Sequence, residues 1–130
     1  MQRPMMPAAL GEPAARYAHA VLVEQPTRWL HTSGIVPRDA SGATPDGVAA
    51  QARLVWANIG ALLDDAGMTA DDVVSVTTYV VMTAMAGGLG DAMAERDAFL
   101  GGRRVASTLV TVPALAQPQW LIEIAVVAAQ

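Results

Sequence analysis

A single acidic residue, Glu123, lies within an otherwise apolar segment near the end of the chain. The segment runs from Trp120 to Ala128 and reads WLIEIAVVA. Burying an ionised carboxylate without a partner is costly, so the position needs an explanation. In one interpretation, Glu123 faces solvent at a strand edge or pairs with an arginine of a neighbouring subunit. In the other, Glu123 is a general acid or base, because carboxylates in unusual surroundings occur at structural and catalytic sites alike.

Tyr17 and the Ser33–Gly34 pair are further candidates for substrate binding. Tyr17 lies just before the first predicted strand. Its phenol would either orient a substrate or simply keep its ring against the protein and its hydroxyl in solvent. Ser33–Gly34 ends the second predicted strand and has a backbone amide and carbonyl free to bind a ligand, although a turn explains it equally well. We interpret His19 and His31 as partly exposed strand residues rather than bases.

The segment around Ser107 combines hydroxyl groups with the only adjacent basic pair of the chain. Ser107 and Thr108 have no histidine or lysine partner in view, so the sequence assigns no nucleophile here. Arg103–Arg104 lies between a predicted helix and a predicted strand. In the simpler interpretation these two arginines lie in a solvent-exposed turn. In the functional interpretation they anchor an anionic substrate.

Composition excludes several classes of function. The chain has 130 residues, of which 53% are hydrophobic and 15% charged, and its formal net charge is −4. This length fits a single domain, 1–130, and so much apolar surface rules out intrinsic disorder. A nucleic-acid partner is not expected, because the chain lacks a basic stripe. With no cysteine and two histidines, neither thiolate chemistry nor a histidine-rich metal site is expected.

We expect a cytoplasmic protein with no membrane partner. The two uncharged windows, 73–90 and 105–122, are interrupted by hydroxyl residues, glycines, prolines and glutamines. A spanning helix needs about 20 predominantly apolar residues. The first ten residues lack the apolar core of a signal peptide.

Two helices are predicted from apolar periodicity. Apolar residues recur at steps of three and four from Val48 to Ala66, with Thr44 or Asp46 as the expected N-terminal cap, Pro45 in the first turn and Gly67 at the C-terminal end. A shorter helix is predicted at Leu89–Leu100 and is stopped by Gly101–Gly102. Its expected inward side chains are Met93, the stem of Arg96, Phe99 and Leu100, and its beginning is weakened by Gly87, Gly88 and Gly90.

Five strands and an N-terminal arm complete the prediction. The arm covers residues 1–12, the first two strands are expected to form a hairpin, and the third is dense in β-branched residues and expected to be central. The strands are predicted at Ala18–Glu24, Arg28–Ser33, Val73–Met82, Ser107–Val112 and Trp120–Ala128. The order ββαβαββ predicts an α+β sheet with two helices packed on one face. Contact between copies of the chain would cover the other face.

Five segments also occur in an order and spacing that are specific when taken together. They are ARYAHAV (15–21), HTSGIVP (31–37), the helix 51–67 followed by DDVV (71–74), FLG (99–101) and LIEI (121–124). They resemble segments of the reactive-intermediate deaminase (RidA/YjgF) family over nearly the whole chain. The family counterparts are P-Y-S-Q-A-V, V-S-G-Q-I-P, the long first helix and the strand after it, the end of the second helix, and the closing V-E-I-E strand.

The resemblance implies a chorismate-mutase-like fold and a homotrimer with clefts between subunits. Members of this family hydrolyse reactive enamines and imines to oxo acids and ammonia without a metal or organic cofactor. By the same resemblance, Tyr17 and the Ser33–Gly34 backbone would line the cleft, and Glu123 would hold or activate the attacking water.

One departure from the family pattern concerns substrate anchoring. Active members carry an arginine in a P-A-R-S-x-V segment, and this arginine binds the substrate carboxylate. The resemblance aligns Ser107 with this arginine. Serine offers one donor where arginine offers a two-pronged fork. The cleft is therefore expected to take a substrate without an α-carboxylate, or to use Arg103 or Arg104 instead. Met93 also stands near where the family often has asparagine.

The expected function is that of a divergent hydrolase or deaminase of small, reactive enamines, imines or similar molecules. The alternative is a non-catalytic trimer that binds or senses a small molecule, which the missing arginine favours and the retained Glu123 and Tyr17 oppose. A ribonuclease-like or chaperone-like role is the weakest expectation, because the net charge is −4.

Overall fold

The longest element, α1 (Val48–Asp65), is the amphipathic helix that the periodicity predicts. The computed structural model describes residues 1–130, with the side chains of residues 85–87 excepted. The predicted C-terminal cap is confirmed: Gly67 has φ +69°, its N–H donates to the Asp64 carbonyl, and the N–H of Met68 donates to the Leu63 carbonyl. This pair of bonds is a Schellman motif. The inward face of α1 comprises Val48, Gln51, Ala52, Val55, Trp56, Ile59 and Leu63.

The predicted N-terminal cap of α1 is wrong. Gly47, with φ +86°, occupies the cap position, and no side chain caps the helix. The Thr44 hydroxyl instead accepts a hydrogen bond from Nε1 of Trp120 at 3.2 Å, and Pro45 precedes the helix rather than lying in its first turn. Tertiary contact thus takes the hydroxyl that local sequence suggested as a cap.

Four strands form the main sheet: β3 (Trp29–His31), β4 (Val73–Val81), β5 (Ala106–Val112) and β6 (Ile122–Ala129). Their order is β3-β6-β4-β5. The predicted central position of β4 is confirmed, because β4 pairs parallel with β5 and antiparallel with β6. Parallel pairing needs a crossover between its two strands, and the second helix, α2, supplies it.

The N-terminal region departs from the prediction. Residues expected to be an arm contain β1 (Gln2–Met5), which pairs antiparallel with β2 (Ala20–Val23) in a separate two-stranded sheet. The predicted β2–β3 hairpin is wrong, because β3 pairs with β6 instead. Pairing partners separated by about a hundred residues leave no local sign in the sequence, whereas nearby strands suggest a hairpin.

The second helix, α2 (Met85–Phe99), begins four residues before its predicted start. Gly87, Gly88 and Gly90 therefore lie inside the helix. The predicted inward side is confirmed: Arg96 and Leu100 are 5% and 2% exposed, and the partly buried Met93 and Phe99 pack against the core. The chain leaves the helix through Gly101 and Gly102, both with positive φ.

The two helices cover one face of the main sheet. Ile122, Ile124 and Val126 of β6 are buried against them, and the rings of Trp56 and Phe99 stack with centroids 4.8 Å apart between α1 and α2. Since successive strand residues point to opposite faces, the alternate residues form a second face, called here the open face. Its half-buried and exposed members include Ser75, Thr77, Tyr79, Thr108, Val110, Glu123, Ala125 and Val127. The open face mixes apolar and hydroxyl side chains.

The Asp39 turn orders the loop between β3 and α1. The Asp39 carboxylate accepts hydrogen bonds from the Ser41 hydroxyl at 2.7 Å and from the amides of Ser41 and Ala43 at 2.9 Å. The Ser41 hydroxyl contributes most to holding the pKa of Asp39 below its usual value. Because that pKa is lowered on folding, the turn is stabilised above the ordinary aspartate pKa and weakens as pH falls through the lowered value.

None of the described helices combines the length and the hydropathy that a membrane span requires.

Candidate active site

Glu123 lies on the open face, directly opposite Tyr79 of β4. The side chain is half-buried and is folded against the backbone of Gly34. A β-carbon built on Gly34 would overlap Oε2 of Glu123 and lie 2.7 Å from its Cδ. Glycine at position 34 leaves room for this rotamer of Glu123, and a β-carbon there would displace the carboxylate.

A bulge brings Ser33 and Gly34 to this carboxylate. Before the bulge, the Thr32 amide donates to the Val126 carbonyl at 3.1 Å, and the Thr32 hydroxyl accepts from the Val126 amide at 3.0 Å. After it, Ile35 and Ile124 exchange two backbone hydrogen bonds. Two residues, Ser33 and Gly34, thus oppose the single residue Ala125. Such bulges bend a strand and re-aim its groups, and they are enriched beside active sites.

The bulge leaves backbone donors without partners. Both Ser33 and Gly34 are exposed, and no described residue accepts a hydrogen bond from either amide. Free amides beside a carboxylate combine hydrogen-bond donors with a proton acceptor. This arrangement suits the binding of an oxygen-bearing substrate or a water molecule.

Tyr17 and Ser107 lie in a different place, the pocket between α2 and β5. This α2–β5 pocket has a volume of about 350 Å³ and is lined by Ala15, Tyr17, Leu89, Met93, Arg96, Ser107 and Leu109. Ser107 and Leu109 stand in register with Val76 and Thr78 of β4, both buried, so they lie on the helix-covered side of the sheet. Nη1 of Arg96 donates to the Ser107 hydroxyl at 3.4 Å.

The two arginines expected to replace a missing anchor lie elsewhere. Nη1 of Arg104 donates to the carbonyls of Ala15 and Tyr17 at 3.1 and 3.0 Å. Arg104 thus supports the segment that carries Tyr17, but its side chain is not part of the pocket wall. Arg103 donates to the Ala70 carbonyl at 2.8 Å and to Oε1 of Gln2 at 3.3 Å, so it ties α2's exit to β1.

The predicted site residues therefore form two groups within one chain. Glu123, Ser33 and Gly34 meet at the bulge, and Tyr17 and Ser107 meet in the α2–β5 pocket. Glu123 is on the open face and Ser107 on the helix-covered side, so the sheet separates the two groups in a single copy.

Two residues of these groups were not assigned a functional role by the sequence. Tyr79 lies beside Glu123 only because β4 and β6 pair in this register. Arg96 was expected to bury its stem; it proves to be one of the residues lining the α2–β5 pocket, and its Nη1 contacts the Ser107 hydroxyl there. An arginine on the inward face of a predicted helix was the available signal, because a buried guanidinium needs partners.

The two histidines do not lie together with acidic side chains in a metal-binding arrangement within the described part of the chain. Nε2 of His19 donates to the Gly11 carbonyl at 3.0 Å, and His31 is exposed on β3. Among the described residues, no three histidine, aspartate or glutamate side chains cluster as metal ligands would.

Comparison with known proteins identifies the family. A sequence model described as Endoribonuclease L-PSP matches residues 6–130. A solved structure of a Rid-family protein of unknown function, YyfB from Yersinia pestis, has 32% identity, covers 99% of this chain and 98% of its own, and superposes with a TM-score of 0.85. The chain belongs to the Rid (YjgF) family.

Other solved Rid-family structures agree with this assignment. The YjgF gene product of Escherichia coli is 29% identical, with a TM-score of 0.70, and the match covers 96% of this chain and 93% of that one. A YjgF-family member from Neisseria meningitidis is 25% identical, with a TM-score of 0.67 and coverage of 100% and 95%. No curated protein matches the chain by sequence. The Rid fold, with two helices on a mixed sheet, is thus the fold of this chain.

Proposed function

We propose that this Rid-family chain hydrolyses a reactive enamine, imine or similar small molecule, with Glu123 acting on the attacking water. The observation that carries the proposal is the bulge, where the Glu123 carboxylate lies against Gly34 beside two unpartnered amides. A carboxylate held by close packing, rather than by an ion pair, is free to accept a proton. None of the three salt bridges between described residues involves Glu123.

The chemistry needs one water and one proton acceptor. Glu123 takes a proton from water as the water oxygen attacks the imine carbon, and a carbinolamine forms. Glu123 returns this proton to the nitrogen, which completes the carbinolamine. It then accepts the proton of the new hydroxyl group and passes it to the same nitrogen, so that the carbon–nitrogen bond breaks and ammonia leaves as the carbonyl forms. The free amides of Ser33 and Gly34 hold an oxygen of the substrate during these steps. Such general acid–base assistance contributes about 10²–10⁴-fold to a rate.

Two copies of the chain are needed to close the site. The bulge and the α2–β5 pocket lie on opposite sides of the sheet within one copy, so a cleft that uses both takes the bulge of one subunit and the pocket of the next. This arrangement is the homotrimer proposed from the family resemblance. Closure of the cleft would exclude bulk water and strengthen the electrostatic interactions of Glu123.

A second candidate is a trimer that binds a small molecule without turning it over. Ser107, which the family resemblance aligns with the anchoring arginine, favours this candidate, because one hydroxyl anchors a carboxylate less strongly than a guanidinium does. Ligand binding without ammonia release from any substrate would identify this second function.

The decisive experiment replaces Glu123 with glutamine. Ammonia release is measured with imines and enamines generated during the assay, and the spontaneous rate is subtracted. We expect Glu123→Gln to lower the catalysed rate at least 100-fold, while the assembly keeps its mass in sedimentation. Glu24→Gln is the matched control, because it removes an exposed carboxylate directly after β2. This variant should retain the full rate. Equal turnover by Glu123→Gln and the parent protein would defeat the proposal.

A further inference from the structure

The polar groups that line the α2–β5 pocket are rich in donors. The guanidinium of Arg96 can only donate. The Ser107 hydroxyl accepts from Arg96, and the Tyr17 hydroxyl accepts from the Ala14 amide at 3.4 Å, so each keeps its own proton to give to a ligand. The Ala15 carbonyl is already used twice, by the Tyr17 amide and by Arg104. A ligand that fits must therefore bring acceptors.

Arg96 is a buried cation with an incomplete set of partners. It is 5% exposed, and one oxygen of Asp97, Oδ1, receives both its Nε at 3.1 Å and its Nη2 at 3.0 Å. Nη1 has the 3.4 Å contact with Ser107. Three of the five N–H groups are thereby used, and no other bond from this guanidinium is present among the described residues.

The position of Asp97 leaves room for a second anion. Asp97 occupies the edge of the guanidinium formed by Nε and Nη2, and Nη1 is on the other side. A carboxylate seated at Nη1 would lie nearer to Arg96 than to Asp97. Its attraction to the cation then exceeds its repulsion by Asp97, although Asp97 weakens the binding. The remaining walls, Leu89, Met93 and Leu109, are apolar.

We propose that Arg96 is the specificity-determining residue of this pocket, that it selects a small molecule with a carboxylate on a short apolar chain, and that Asp97 attenuates this selection. The inference rests on the proposed function insofar as the pocket forms one wall of the cleft. It replaces the expectation of Arg103 or Arg104 as the anchor, because the available guanidinium comes from α2. Ser107 then acts as a partner of the arginine rather than as its substitute.

The test uses butyrate as the probe and the assembled protein. Binding is followed by chemical-shift changes during a titration, and butylammonium, of equal length and opposite charge, is titrated alongside. We expect butyrate to bind and butylammonium to show no saturable change. Arg96→Gln should weaken butyrate binding at least tenfold, in line with the loss of a charge-assisted hydrogen bond. Ser107→Ala should weaken it by about threefold, the loss of a neutral one.

Asp97→Asn separates this proposal from a purely structural role of Arg96. Asparagine retains an oxygen that accepts from the guanidinium, but it lacks the competing charge. Butyrate should then bind about three- to tenfold more tightly. Arg53→Gln is the control, because Arg53 of α1 pairs with Glu95 on the helix of Arg96, and its replacement changes the net charge by the same amount as Arg96→Gln. It should leave butyrate binding unchanged.

Several results would overturn the inference: butylammonium binding as well as butyrate, Asp97→Asn failing to tighten binding, or Arg53→Gln weakening it as much as Arg96→Gln. If Arg96→Gln does not fold, the butyrate affinities of Asp97→Asn and Ser107→Ala still test the inference. Because binding is read without turnover, Arg96-dependent binding in a protein that releases no ammonia would defeat the proposed function alone. Glu123-dependent ammonia release without butyrate selectivity would defeat this inference alone.

Discussion

At the scale of single residues, the candidate site depends on what is small as much as on what is charged. Gly34 has an ordinary negative or extended backbone, since it is not among the residues with positive φ. Its lack of a β-carbon matters because the Glu123 carboxylate fills that space. The same reasoning explains why a carboxylate persists in an apolar strand: at this position it lies on the open face and avoids the core.

Gly34→Ala therefore tests the packing of the carboxylate. The added methyl would overlap Oε2 of Glu123 and force the side chain to a new rotamer. We expect ammonia release to fall about 10- to 100-fold, because small displacements of reacting groups cost that much. The midpoint of unfolding should change little, since Gly34 is exposed. Retention of the full rate would show that the position of Glu123 against Gly34 is unimportant.

At the scale of secondary-structure elements, α2 has two functions. It connects β4 to β5 as the crossover, and it carries Leu89, Met93 and Arg96 into the pocket. Its placement depends on close approach to α1, since a β-carbon on Gly88 would overlap Cγ1 of Val48. Gly90 on the same helix has nothing within 4 Å of such a β-carbon. Gly88 and Gly90 of α2 thus lie in opposite surroundings.

The pair Gly88→Ala and Gly90→Ala separates packing from helix propensity. Gly90→Ala should raise the free energy of unfolding by up to about 1 kcal/mol, because alanine loses less backbone entropy. Gly88→Ala gains the same helix propensity, but its methyl group overpacks the contact with Val48, and overpacking costs about 1–3 kcal/mol. We expect a net loss of stability. Denaturant titration at one fixed protein concentration measures both variants, and a shift of the same sign in both would refute the packing argument.

At the scale of the whole molecule, the open face is a partly apolar sheet surface that no helix of the isolated chain covers. Val110 is 40% exposed there and Trp29, on the edge strand β3, is 51% exposed. A sheet with one face on helices needs cover for the other when that face is partly apolar. The proposed trimer supplies this cover with copies of the same chain, and it also joins the bulge of one subunit to the pocket of the next.

Val110→Lys tests this assembly. A lysine on the open face would place a charge where the proposed subunits meet, at a cost that the contact cannot recover. We expect the sedimenting mass to fall from three chains towards one, with ammonia release falling in parallel. Leu22→Lys is the control, because Leu22 is 38% exposed but belongs to β2 of the separate two-stranded sheet. A parent protein that sediments as one chain, or a Val110→Lys protein that keeps the parent's mass, would contradict the proposed trimer.

The sequence by itself determined the elements with strong local patterns. These include the amphipathic helix with its glycine end at Gly67, the central β-branched strand, and an isolated carboxylate in the last strand. Each of these follows from periodicity or from residue chemistry within a few neighbouring positions. The collinear motifs also identified the family.

Only the tertiary structure decided which distant residues meet. Three features bring together residues that are not neighbours in the sequence. They are the pairing of β1 with β2, the bulge at Ser33–Gly34 and the contact between the Arg96 guanidinium and Ser107. The hydroxyl of Thr44 was taken by Trp120 rather than by the helix. These contacts depend on the free energy of packing the whole core, and local propensities do not predict that free energy.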